Sequence, residues 1–125
     1  MGMDVYAINP NPQVQGSDYF RNNVWYWRPL WAFIQLSCSD ILSKEDINGG
    51  QYNDGYCITE DKAVAIATRI LQMKEDGKVD AYVEEYKAEI EKTSKDSWDR
   101  NYPIDSENIE AFANFSMHSG GFCIS

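Results

Sequence analysis

Between Phe20 and Arg28 the chain places two guanidinium groups, two amides and two indoles: Arg21, Asn22, Asn23, Trp25, Trp27 and Arg28. Large rings offer wide flat contact area at little rotamer cost. Arginine offers a planar donor fork that grips phosphate or carboxylate and stacks on rings. The combination suits capture of a small, flat anion, and a nucleotide best of all. Trp25 and Trp27 would stack on a base, Arg21 and Arg28 would hold phosphate, and Asn22 and Asn23 would read polar edges. A second group, Tyr52-Asn53-Asp54-Gly55, sets a carboxylate on a tight turn between aromatics. Asp54 there could read an amine, an amide edge or a ribose hydroxyl, or serve only the turn. The competing use of the rings is core packing, which a chain with 14% aromatic residues requires of many of them.

Other chemistries have thinner support. His118 is the single histidine, and it ends a helical segment where an imidazolium would favour the negative helix terminus. Cys123 lies close enough in sequence for a Cys–His pair to be conceivable. Asp46-x-Asn48-x-Gly50-Gln51 starts like a calcium loop but lacks glycine at the sixth place and glutamate at the twelfth. No metal site and no cofactor are expected. Gly49-Gly50 is not followed by the Lys-Ser/Thr of a phosphate-binding loop.

The elements that must position these residues follow from periodicity and punctuation. Met3 to Ile8 reads as a short strand, ended by Asn9-Pro10-Asn11-Pro12. Gln13 to Asp18 reads as loop, and Tyr19 to Trp27 as extended or irregular; if 22–27 run extended, Trp25 and Trp27 share one face. Pro29 marks the first position of a helix over about 29–42. Ser43 to Ile58 is polar and glycine-rich, hence loop and turn. Thr59 caps a helix to about Lys74, Gly77 breaks it, and a third helix starts at Val79. Thr93 to Pro103 connects, carrying Trp98. Asp105 or Ser106 caps a last helix that stops at Gly120-Gly121. Phe122 to Ser125 is a strand whose natural partner is Met3–Ile8, with 20–27 or 52–58 able to join. The expected fold is α+β, mainly helical with about four helices, and with a small sheet formed by the terminal strands. Residues 1–125 make one domain.

Composition limits the partners. Twenty acids against 11 bases leave a net charge of −9, which repels a long nucleic acid or an anionic membrane. A local arginine pair can still hold one small anion. The first 61 residues contain only Arg21, Arg28 and Lys44 as bases. Cys38, Cys57 and Cys123 are odd in number and widely spaced, which reads as buried thiols in a reducing compartment. No segment is apolar for long enough to span a membrane, and the expected location is the cytoplasm.

Gly2-Met3-Asp4-Val5-Tyr6, the block from Tyr19 to Trp31, Tyr52-Asn53-Asp54-Gly55 and Ser119-Gly120-Gly121-Phe122 together resemble a family of small bacterial and phage proteins. The likeness spans most of the chain apart from 9–18 and 78–100, and Tyr26 stands where that family would carry tryptophan. It implies a prokaryotic or phage protein of the host cytosol and assigns no catalytic residue. The resulting expectation is a non-enzymatic binding protein that sequesters a nucleotide immune signal, assembled as a homo-oligomer. A protein-binding inhibitor engaging a basic host partner is the alternative, and a small hydrolase the third.

Overall fold

The structure, a computed structural model, describes residues 2–92 and 103–125. Its elements run β1 (Gly2–Ala7), β2 (Tyr19–Asn23), α1 (Val24–Ser37), α2 (Lys44–Gly49), β3 (Tyr56–Ile58), α3 (Glu60–Glu75), α4 (Lys78–Glu91), α5 (Ser106–His118) and β4 (Phe122–Ile124). The fold is α+β and mainly helical, with five helices among the described residues. Trp98 lies outside them.

The four strands form one antiparallel sheet in the order β2-β1-β4-β3. Both terminal strands are central, flanked by the two segments expected as possible additions. Strand alternation sorts the faces. Met3, Val5, Ile58, Phe122 and Ile124 are buried beneath the helices. Tyr6 and Tyr19 are exposed on the other face, ring centroids 5.2 Å apart.

The helical layer packs on that inner face. Phe112 of α5 meets Phe20, Trp27 and Phe122 edge-on, at 5.3, 5.8 and 5.5 Å between centroids. α3 crosses α5 closely enough for Ser116 Oγ to donate to the Ala63 carbonyl at 2.8 Å in full burial. Gly120 and Gly121 have φ of 69° and 96°. A Cβ on Gly120 would lie 2.4 Å from the Asn9 carbonyl oxygen, so glycine is what lets α5 turn directly into β4.

Several expectations need correction. α1 starts at Val24 rather than Pro29, because Asn23 caps it: its side chain accepts from the Tyr26 N–H at 3.0 Å. Pro29 sits inside the helix. Residues 24–27 are therefore helical, and Trp25 and Trp27 point to different sides. The helix ends at Ser37, and Cys38 to Leu42 follow it in turns. Within the expected loop 43–58 stands α2, closed by a capping box. Asp46 N–H donates to Ser43 Oγ at 3.1 Å, and Ser43 N–H donates to Asp46 Oδ2 at 2.9 Å. Lastly, Cys57 and Cys123 are not free thiols but a disulfide, leaving Cys38 alone and buried.

Candidate functional site

Gly2 gathers part of the anticipated site. It faces Asn23 in the β1–β2 register. The Arg21 guanidinium lies across it, where an added Cβ would come within 2.3 Å of Nη2. Asn53 Nδ2 donates to its carbonyl at 3.4 Å. Arg21, Asn23 and Asn53 thus converge from β2, the start of α1 and the α2–β3 loop. Arg21 is already engaged, since its Nε donates to Asp4 Oδ1 at 3.1 Å. Tyr19 donates to the same carboxylate oxygen, and that hydrogen bond pushes the Tyr19 phenol up.

Tyr52 and Asp54 belong to a neighbouring cleft of about 320 Å³, lined also by Asn48, Gly49, Gly55 and Tyr56. Tyr52 is exposed, while the Tyr56 ring lies against Gly49. Tyr56 is fixed from below: its hydroxyl donates to Asp46 Oδ1 at 2.5 Å. The same carboxylate accepts from Lys62 Nζ. Burial pushes the Asp46 carboxyl up, but the bonds from Lys62, Tyr56 and Ser43 outweigh it and hold it at about 2. In turn the Asp46 bond pushes the Tyr56 phenol up. Asp46, the first residue of the apparent calcium loop, is spent on these internal partners.

Trp27 does not stack on a ligand. It is 1% exposed, its Nε1 donates to the Gly50 carbonyl at 2.8 Å, and its ring stacks on Trp31 at 5.6 Å. Trp31 Nε1 donates to the Ile47 carbonyl at 3.0 Å. The two indoles therefore anchor the end of α2 to α1, and with it the loop that carries Tyr52, Asn53 and Asp54. Asn22 is likewise removed from ligand reading. It points inward from β2, and its amide exchanges two hydrogen bonds with Asn108 of α5.

Trp25 and Arg28 occupy the first two turns of α1, directly after Asn23. Trp25 is half-buried and Arg28 exposed. Arg28 has no carboxylate partner among the described residues. The helix opens without an acid in its first turn, unlike α3, α4 and α5.

Of the expected residues, then, Arg21, Asn23, Trp25, Arg28, Tyr52, Asn53 and Asp54 remain accessible around β1's first residue, α1's start and the α2–β3 loop. Trp27 and Asn22 are structural. Gly2, Asn48, Gly49 and Tyr56 lie beside them, although the sequence reading placed none of the four in the ligand site. The Ser43-x-x-Asp46 spacing was the one available signal for the segment that positions them. The Cys–His pairing is closed, since Cys123 is bonded to Cys57. No described helix is long and apolar enough to cross a membrane. Comparison of the chain with protein-family models, curated proteins and solved structures finds no significant match.

Proposed function

We propose that this protein captures a small anionic ligand, a nucleotide by preference, and holds it without turning it over. The observation that carries the reading is Arg28. In a chain of net charge −9, it is an exposed guanidinium one turn beyond Trp25, with no carboxylate to neutralise it among the described residues. An unpaired arginine fork beside a partly accessible indole is a phosphate-and-base grip. Tyr52, Asn53 and Asp54 supply an aromatic wall and polar edges for the rest of such a ligand. Arg21 is a weaker phosphate ligand in this scheme, because binding must compete with Asp4.

The proposed setting is the host cytosol, with the ligand a nucleotide immune signal and the protein a sponge. A homo-oligomer would let a second copy close over the open side of the site. The test is calorimetry against a panel of cyclic mono- and dinucleotides, followed by heat release and mass spectrometry of the ligand. Capture predicts one tight binder recovered intact. Arg28→Ala should abolish binding with thermal stability unchanged. Normal binding by that variant would sink the assignment, and a recovered product in place of the ligand would favour the hydrolase.

One observation favours the protein-binding alternative. Leu36 is 69% exposed and borders a groove of about 290 Å³ formed with Tyr82, Glu85, Tyr86 and Glu89. An apolar floor rimmed by carboxylates fits a lysine- or arginine-rich segment. Binding to such a protein that survives Arg28→Ala but not Leu36→Asp would support this second reading.

A further inference from the structure

Cys57 and Cys123 stand directly opposite each other on β3 and β4, their Cα atoms 3.9 Å apart. The sheet explains why these two meet. Asp4 of β1 and Ser125, just beyond β4, exchange both backbone bonds at 2.9 and 2.7 Å, and Ile8 donates to Gly121 at 2.8 Å. By the period of two, Cys123 also turns its amide and carbonyl toward β1, opposite Tyr6. Toward β3 it therefore forms a narrow pair, the kind in which side chains stand closest.

The bridge lies between the edge strand and its one neighbour. Cys57 is exposed and Cys123 half-buried. A thiolate displaces sulfur from the side opposite the leaving sulfur. Approach to Cys57 comes from beyond the sheet edge, through solvent. Approach to Cys123 comes over β1, where Tyr6 stands.

We propose that Cys57–Cys123 is a thiol–disulfide exchange site for a small thiol of the glutathione class, and that its opening releases the loop that carries Tyr52, Asn53 and Asp54. The thiolate attacks Cys57 Sγ, the S–S bond breaks, and its electron pair leaves on Cys123, which takes a proton from water. A second thiolate attacks the mixed disulfide and frees Cys57. Two small thiols become one small disulfide, and the protein gains two electrons and two protons.

The loop is the element that responds. Gln51 to Gly55 are all exposed. The loop is tied to the sheet by Asn53, whose amide donates to the Gly2 carbonyl at 3.4 Å, and by Gly55 N–H, which donates to the Ile124 carbonyl at 2.7 Å. The disulfide sits two residues beyond Gly55. Cys38 does not compete, because burial pushes its thiol up. Only the consequence for ligand capture rests on the function proposed above.

The test uses the whole oxidised protein and reduced glutathione. Alkylation and peptide mapping should find the first adduct on Cys57. Cys57 in Cys123→Ser should be modified roughly tenfold faster than Cys123 in Cys57→Ser. In the wild type, amide exchange across 51–58 should rise roughly tenfold on reduction while that of 109–116 in α5 stays fixed. A first adduct on Cys123, a bridge that resists reduction until the protein unfolds, or equal exchange of 51–58 in both states would each overturn the proposal. None of these measurements needs a nucleotide, so their failure is separable from failure of the capture reading.

Discussion

Asn22 of β2 and Asn108 of α5 hold each other across 86 residues of sequence, each amide donating to the other's oxygen at 2.9 Å. The pair bolts an edge strand to the helix beneath it. Asn22 Nδ2 also donates to the Arg21 carbonyl at 3.0 Å, and Asn108 N–H donates to the capping Asp105 at 2.6 Å. The Asn22 side chain thus makes three hydrogen bonds and the Asn108 side chain two, the bond to Asp105 coming from the Asn108 backbone. This accounts for two polar side chains at a half-buried junction.

Breaking the pair from one side strands the other amide. Asn22→Ala and Asn108→Ala should each destabilise the fold by about 1–2 kcal/mol. The double variant should cost less than the sum, because the second truncation removes an already unpaired group. Urea unfolding of the three variants gives the coupling directly. Strict additivity would mean that the two amides do not depend on each other.

Gly50 makes a sharper case. Its backbone is ordinary right-handed helix, φ −74° and ψ −13°, so conformation does not demand glycine. Space does: a Cβ there would sit 1.9 Å from Trp31 Cε2. That indole cannot swing aside while its Nε1 holds Ile47 and its ring stacks on Trp27. Gly50→Ala should cost about 1–3 kcal/mol. Adding Trp31→Leu should recover part of the loss, read as a midpoint shift in denaturant. A fully stable Gly50→Ala would show that the α1–α2 contact is looser than the structure has it.

How much of this was legible in the chain depends on whether the signal was local. Asp105 and Gly120-Gly121 bracket α5 as their chemistry dictates, since a cap and a positive-φ stop act within a few residues. Pro29 misled because a proline can sit inside a helix whose first turns another residue caps, and Asn23 was that residue. α2 was hidden by Gly49-Gly50, which reads as a turn until Trp27 and Trp31 are known to occupy the space beside it. The role of Asn22 and the Cys57–Cys123 bridge could not be read at all. The first depends on how α5 packs against the sheet and the second on strand register, which bring together residues 86 and 66 positions apart. For the candidate site, residue type was informative but side-chain direction was not. One indole of the tryptophan block went to the core and the other stayed partly accessible, a split decided by helical rather than extended geometry.

Asp46 gives the fold its clearest acid dependence. Asp46 as a residue is 4% exposed, and its carboxylate receives Lys62, Tyr56 and the Ser43 backbone N–H. Its folded-state value of about 2 lies below that of an unfolded aspartate. The ionised form therefore adds stability that is complete above about pH 4 and is lost as pH falls through the folded value, on the order of 2 kcal/mol in all. Asp46→Asn removes the negative charge and leaves Lys62 facing a neutral amide. Near neutrality that variant should unfold at lower urea than the wild type by a comparable free energy. As the pH is lowered toward 2 the wild-type carboxylate takes up a proton and the two curves should draw together. Tryptophan fluorescence will follow the transition, because Trp27 and Trp31 lie against the same α2 segment. A gap that stays constant from pH 6 to about pH 2.5 would mean that Asp46 acts through shape and capping alone, without its charge.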